Sequence, residues 1–174
     1  DNGEIPEDNP FNNAVYSYGH RNPQGLAWDD NKQLWSTEHG PSGLQSGNDE
    51  LNRIIKGGNY GWPLIVGSET REGMIAPVAE SGSDETWALA GLAYHNGALY
   101  FGGLRGESIY EATILDENTV TIKSHFRGNY GRIRTTYVLP DSRALLITTS
   151  NTDGRGTAGQ NDDRVITIPF TLFD

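Results

Sequence analysis

Three observations predict an all-β chain folded as part of a β-propeller. A hairpin phrase occurs three times; glycine supplies 22 of 174 residues while Thr, Tyr, Trp and Ile fall in short runs; and no window carries the i, i+3, i+4, i+7 apolar spacing of an amphipathic helix. The phrase reads Gly25-Leu26-Ala27-Trp28, a polar turn over 29–32, then Gln33-Leu34-Trp35-Ser36. It returns as Gly91-Leu92-Ala93-Tyr94, a turn over 95–97 and Ala98-Leu99-Tyr100-Phe101. The third copy is Thr136-Tyr137-Val138-Leu139, a turn over 140–143 and Ala144-Leu145-Leu146-Ile147. Propeller blades repeat in this way because each buries a sheet face on its neighbour, and at roughly 45 residues per blade the chain holds about three to four. The strands alone also fit a β-sandwich; the recurring hairpin favours the partial propeller.

Taken in order, strands are expected over 15–18, 25–28, 34–37, 51–55, 99–101, 108–113, 120–125, 134–139, 144–148 and 164–170, each bounded by Gly, Pro, Asn or Asp. Helices should be few and short. The stretch 67–86 is polar, with Gly, Ser and acidic residues and no strand pattern, so it reads as a surface loop. No linker or low-complexity tract divides the chain, and residues 1–174 are expected to form one portion of a single domain.

Charge and composition exclude several function classes. Twenty-three acidic against 13 basic residues give a net charge of -10, which disfavours a sequence-independent grip on nucleic acid or an anionic membrane face. No run approaches the ~18 apolar residues of a transmembrane helix, and Asp1-Asn2-Gly3-Glu4 is unlike a signal peptide. The chain is therefore expected to be soluble, with any export signal outside it. The absence of cysteine excludes disulfides and thiolate metal sites.

Four groups of residues suit binding chemistry. In Gly19-His20-Arg21-Asn22-Pro23-Gln24-Gly25, a guanidinium beside a carboxamide offers forked donors for carboxylate or quinone oxygens; the alternative is a turn in which Arg21 ties an acidic neighbour. Thr37-Glu38-His39-Gly40-Pro41, Asn48-Asp49-Glu50-Leu51-Asn52 and Gly57-Gly58-Asn59-Tyr60-Gly61-Trp62-Pro63 could gather oxygen ligands for Ca²⁺ from Asp49, Glu50 and the carbonyls around Gly40, Pro41 and Tyr60, without the spacing of an EF-hand. An acidic pair in a loop also reads as solvated surface. Arg132 and Arg134 share one face of a strand, and two like charges side by side call for an anionic ligand or an internal carboxylate. Replacing both with alanine is expected to remove anion binding with little effect on folding. Arg105 stands at a strand end as a fourth candidate. His95 and His125 read as surface or turn residues, and no zinc site, nucleophilic triad or phosphate loop is evident.

The segments Gly19–Ala27, Glu38–Pro41, Asp49–Asn52, Gly58–Pro63 and Gly131–Arg134 occur in the order seen in soluble pyrroloquinoline-quinone (PQQ)-dependent sugar dehydrogenases, which the chain resembles: the glucose/sorbosone dehydrogenase or aldose sugar dehydrogenase family. Ser150–Gly156 with Asn161–Ile166 is similar to that family's last blade, and Asp1–Phe11 to a segment in the middle of its domain. The resemblance implies the C-terminal half of a six-bladed propeller whose axial cleft holds PQQ and Ca²⁺ and oxidises the C1 hydroxyl of an aldose by hydride transfer.

By the same resemblance, Arg21 and Asn22 meet the quinone end of PQQ and the reacting sugar oxygen. Arg132 and Arg134 meet its carboxylates, and Arg105 stands where the family often has lysine. The carbonyls of Gly40 and Pro41 face the cofactor's Ca²⁺, and Glu50 with Tyr60 ligates a second, structural Ca²⁺. The family's general base is a histidine upstream of the segment that Asp1 begins, so no catalytic base is expected here, and His20 is not read as one. The insertion 42–48 is longer than in many relatives, and 67–86 matches nothing in the family. The implied partners are an aldose substrate and the missing N-terminal half of the propeller, with self-association of half-rings as another way to cover open blade faces. The implied location is extracellular or periplasmic. A rival reading is a non-catalytic propeller module that binds carbohydrate or protein and keeps the motifs as scaffold.

Overall fold

Three antiparallel sheets follow one another along the chain, each a meander of strands consecutive in sequence. The computed structural model describes residues 3–43 and 46–173; Asp1 and Asn2 of the opening motif and Leu44 and Gln45 of the 42–48 insertion lie outside them. The first sheet comprises β1 (Pro23–Trp28), β2 (Leu34–Glu38), β3 (Glu50–Ile54) and β4 (Ala79–Glu80). The second comprises β5 (Leu89–His95), β6 (Ala98–Gly103), β7 (Ile109–Asp116) and β8 (Thr119–His125). The third comprises β9 (Ile133–Val138), β10 (Ala144–Thr149) and β11 (Val165–Pro169). No strand crosses between sheets, which sets aside the sandwich, and the fold is a partial β-propeller. The described residues contain no α-helix; a 3-10 turn covers Phe170–Leu172.

The three hairpin phrases form β1–β2, β5–β6 and β9–β10, the inner hairpins of the three blades. β1 packs against β5, and β5 against β9. Two glycines at the same place in the phrase permit this. A Cβ on Gly25 would lie 2.5 Å from the Leu92 nitrogen, and a Cβ on Gly91 would lie 2.8 Å from Cα of Thr135 and 2.9 Å from the Thr136 nitrogen. Only a residue without a side chain lets the backbones come this near.

Each inner hairpin also slips register by one residue, between Pro23 and Gly25, between Ala90 and Leu92, and between Thr148 and Thr149 opposite β9. Such bulges bend a strand and re-aim the flanking side chains. All three lie at the same end of the blades.

The core sits between sheets. Trp35, Leu51, Leu89, Leu92, Leu99, Phe101 and Tyr110 fill the space between the first and second. Ala93, Tyr100, Ile109, Ile133, Leu145, Ile147 and Ile168 fill that between the second and third. All six residues of β6 are buried, since this strand feeds both cores with alternate side chains. On β1, by contrast, Leu26 and Trp28 stand exposed on the face turned away from the second sheet.

Three expectations need correction. Residues 15–18 form no strand beyond a single bridge from Tyr18 to Asn59. They run beside the irregular loop 57–62, donating and accepting at Gly57, Gly58 and Tyr60, where Gly57 and Gly61 take positive φ and no regular ladder can form. The stretch 67–86 does contain a strand, β4, whose two residues pair with Glu50 and Leu51 and are too short to show a period. His125 is buried rather than on the surface, its Nε2 2.7 Å from a Glu111 carboxylate oxygen and its ring edge-on to Phe173.

Gly91→Ala is expected to cost about 1–3 kcal/mol, because the new methyl group meets backbone that cannot rotate away. Urea unfolding at equilibrium checks this; an unchanged midpoint would show that β5 and β9 can move apart at no cost.

Candidate functional site

The site is built at the end of the blades where β1, β5 and β9 start and β2, β6 and β10 finish. Its anchor is Glu38, 2% exposed at the end of β2. One carboxylate oxygen accepts the backbone N–H groups of both Arg21 and Asn22, the latter at 2.9 Å. The other meets His20 Nδ1 at 3.0 Å and Asn52 Nδ2 at 3.5 Å. A buried carboxylate with four donors is satisfied, and the loop before β1 is held in one shape. His20 is committed to this scaffold: its Nε2 lies 2.8 Å from Ser17 Oγ and its ring stacks on Tyr60.

That loop directs Arg21 across the strand ends. The guanidinium donates to the His39 carbonyl at 3.2 Å and to Ser42 Oγ at 2.8 Å, and lies over the Trp62 ring at 5.6 Å. The Asn22 side-chain oxygen accepts Gln24 Nε2 at 2.8 Å. His39 Nε2 donates to the Leu89 carbonyl, tying the first blade to the second.

Asp49 reinforces the same joint, one oxygen accepting Gly40 N–H at 3.0 Å and the other Ala88 N–H at 2.7 Å. Asp49 thereby staples the two blades, a structural role beside the cation ligand that its sequence context allowed. Gly40 is where 46–48 closes on the site: its Cβ would sit 2.0 Å from the Gly47 carbonyl oxygen.

A cleft of about 400 Å³ opens beside Arg21, lined by His39, Gly40, Pro41 and Ser42 on one side and by Arg105, Arg132 and Arg155 on the other. Arg132 is 7% exposed. Its guanidinium reaches Leu104 O at 2.8 Å, Ser150 O at 3.3 Å and Asp153 Oδ2 at 2.8 and 3.2 Å. Arg134, more exposed, donates to Ser150 Oγ at 3.1 Å and lies 3.6 Å from the same Asp153 oxygen. The internal carboxylate allowed for by the sequence is Asp153, whose pKa is held below the usual carboxylate range first by its hydrogen bond from Arg132. The expectation that removing both arginines leaves folding untouched is thereby corrected: Arg132 holds two backbone carbonyls and a carboxylate.

Next to this cleft, a cavity of about 10 Å³ is bounded by Arg21, Glu38, Gly40, Pro41, Glu50 and Tyr60. Here strand register places three carboxylates on one rung, because Glu38 pairs with Glu50 and Glu50 with Glu80. Like charges directly opposite repel. Glu50 takes donors from Asn52 Nδ2 at 3.1 Å and Gly67 N at 3.1 Å, while Glu80 Oε2 is buried without a partner. Burial, with the charges of Glu38 and Glu80 adding to it, pushes the Glu50 carboxyl up to about 7. The Tyr60 hydroxyl is spent on the backbone, accepting Ile55 N–H at 2.8 Å and donating to Arg53 O at 2.5 Å; any part it takes in holding a cation falls to its carbonyl. Among the described residues no three His, Asp or Glu side chains converge on one point, so a cation here would draw most of its ligands from backbone carbonyls.

A larger groove of about 680 Å³ lies at the opposite end, among the turns after β1, β5 and β7, and holds none of the predicted site residues. Those residues, apart from Arg134 and Asn22 at its margins, line the two neighbouring cavities at one end of the blades. The sequence reading missed the part played by Glu38, for which the signal was an acidic residue closing an otherwise buried strand, and by Asp153.

A family model for glucose / sorbosone dehydrogenase matches residues 1–158. The chain is 33% identical to aldose sugar dehydrogenase YliI of Escherichia coli (strain K12), over 85% of this chain and 46% of that protein. It is 51% identical to quinoprotein glucose dehydrogenase B of Acinetobacter calcoaceticus over 41% of this chain and 15% of that protein. Its fold superposes with a TM-score of 0.86 and 40% identity on the PQQ-bound form of aldose sugar dehydrogenase from Streptomyces coelicolor, covering 96% of this chain and 49% of that one. The chain thus spans less than half the length of the curated relatives it matches.

Two outcomes are expected. Arg132→Ala should lower stability by about 3 kcal/mol by stranding its partners, read as a lower melting temperature. In cation-free buffer, Glu50 binds its proton more tightly folded than unfolded, so its contribution to stability is full below about pH 4.5 and declines as pH rises to about 7. Glu50→Gln should flatten that decline in melts taken across the range; an identical slope in the variant would count against the shift.

Proposed function

This chain belongs to the glucose/sorbosone dehydrogenase family, and we propose that it supplies the cation-rich side of a site where an aldose is oxidised at its C1 hydroxyl by hydride transfer to PQQ, assisted by Ca²⁺. The observation that carries the reading is the gathering of Arg21, Arg105 and Arg132 around the loop 39–42 at one end of the blades, in a chain of net charge -10. Forked cations collected in an acidic protein suit a flat polycarboxylate. The glutamate rung and its unpaired Glu80 oxygen suit a hard cation.

When bound, PQQ supplies the quinone that takes up the hydride, with Ca²⁺ drawing electron density from it. The part left to this chain is binding and orientation. Arg21, pinned through Glu38, would present donors to the quinone oxygens, and the Asn22 carboxamide would meet the reacting sugar oxygen. Arg105, Arg132 and Arg134 take the carboxylates, Arg132 and Arg134 sharing Asp153 so that the pair offers one net positive charge. The carbonyls of Gly40 and Pro41 would hold the cofactor's cation, and Glu50 with the Tyr60 carbonyl a structural one. The hydroxyl proton would pass to a base that this reading places outside these residues, and further blades of a propeller would cover Leu26 and Trp28. The location this reading carries is extracellular or periplasmic, as the family resemblance implies. No helix among the described residues is long and apolar enough to cross a membrane.

In the full-length protein, Arg105→Ala should weaken PQQ binding about tenfold or more without shifting the melting temperature, since Arg105 is exposed. Equal affinity would remove it from the site. Chelation followed by Ca²⁺ addition should raise the melting temperature of the wild type and not of Glu50→Gln; a matching rise in both would place the cation elsewhere.

A further inference from the structure

The stretch Ser150-Asn151-Thr152-Asp153-Gly154-Arg155-Gly156 leaves one cation without a task. We propose that Arg155 is a further anion-binding residue of the cleft, taking a carboxylate of the bound cofactor together with Arg105; the inference rests on the reading of the cleft as a PQQ site.

Three observations carry it. Arg155 lines the same 400 Å³ cleft as Arg105 and Arg132. The loop fixes it there: Asp153 Oδ1 accepts Arg155 N–H at 3.0 Å, and Gly154 takes φ +80 to complete the turn. Gly156 then lies flat on Arg132, where a Cβ would come 2.6 Å from Arg132 Cδ and 2.9 Å from the Asn151 backbone. The chain is laid across the stem of one arginine and delivers another beside it.

Arg53, Arg132, Arg143 and Arg164 each meet a carboxylate within the chain. Among the described residues the guanidinium of Arg155 meets none, and neither does that of Arg105. The carboxylate in the cleft wall, Asp49, has both oxygens on backbone N–H groups. Guanidinium groups brought together around one hollow repel until an anion joins them; exposed Arg71 and Arg127 also meet no carboxylate among the described residues, and what sets Arg105 and Arg155 apart is that they share the cleft with Arg132.

The test is titration of PQQ into full-length wild type, Arg155→Ala, Arg155→Lys and Arg71→Ala, the last removing an exposed arginine away from the cleft. Arg155→Ala should weaken binding about tenfold or more, Arg155→Lys should recover part of the loss, and Arg71→Ala should match wild type, all at one melting temperature. Wild-type affinity in Arg155→Ala overturns the proposal while leaving the PQQ reading intact. Failure of the wild type to bind PQQ overturns the reading itself, and with it the role given to Arg155. An equal loss in Arg71→Ala overturns the proposal by showing a general effect of net charge.

Discussion

Glu38 decides where the chemistry of this chain can occur. A carboxylate taken out of water must be met by donors, and this one is met by two backbone N–H groups of a single loop, by an imidazole and by a carboxamide. The loop therefore cannot wander, and Arg21 leaves it in a fixed direction toward His39 and Ser42. The same strand end carries the next residues of the site, His39, Gly40 and Pro41, so one buried charge sets both the cationic and the carbonyl walls. Neutralising Glu38 would leave one oxygen to accept the two N–H groups but turn the other, which meets His20 and Asn52, from an acceptor into a donor, and removing the carboxyl would strand all four partners.

The second constraint is the approach of inner strands through Gly25 and Gly91. Backbone contact draws β1, β5 and β9 together, and the one-residue slips near their starts turn the flanking side chains at one common end. Arg21 and the loop after β2 flank the first hairpin, Arg105 follows the second and Arg132 precedes the third, yet they meet because the hairpins repeat one geometry. The opposite end, with its turns after β1, β5 and β7, has a roomier groove but lacks this convergence.

The repeated hairpin was legible because burial imposes a spacing on the letters, and Gly25-Leu26-Ala27 and Gly91-Leu92-Ala93 show it almost unchanged. The Arg21, Arg105 and Arg132 candidates were legible as cations at strand ends in an acidic chain. What resisted reading depended on register and on partners far away in sequence. Nothing near Arg132 announces that Asp153, twenty-one residues on, will neutralise half of the pair, and Glu38, Glu50 and Glu80 fall on one rung only once three strands have aligned. β4 is too short to carry a period. Residues 15–18 have strand-like letters, but the loop 57–62 they lie against has glycine conformations that no ladder accepts.

The placement of hydrophobic side chains between sheets has a consequence for how such a chain can change over time. The sequence looks modular, as if hairpins could be added or removed like beads, but no sheet owns an interior: deleting the middle one would strip two neighbours at once. Variation in length is then confined to stretches clear of the joints, such as the exposed segment 68–73. Divergence among related proteins should accumulate there, while the joints themselves change only in concert across a seam.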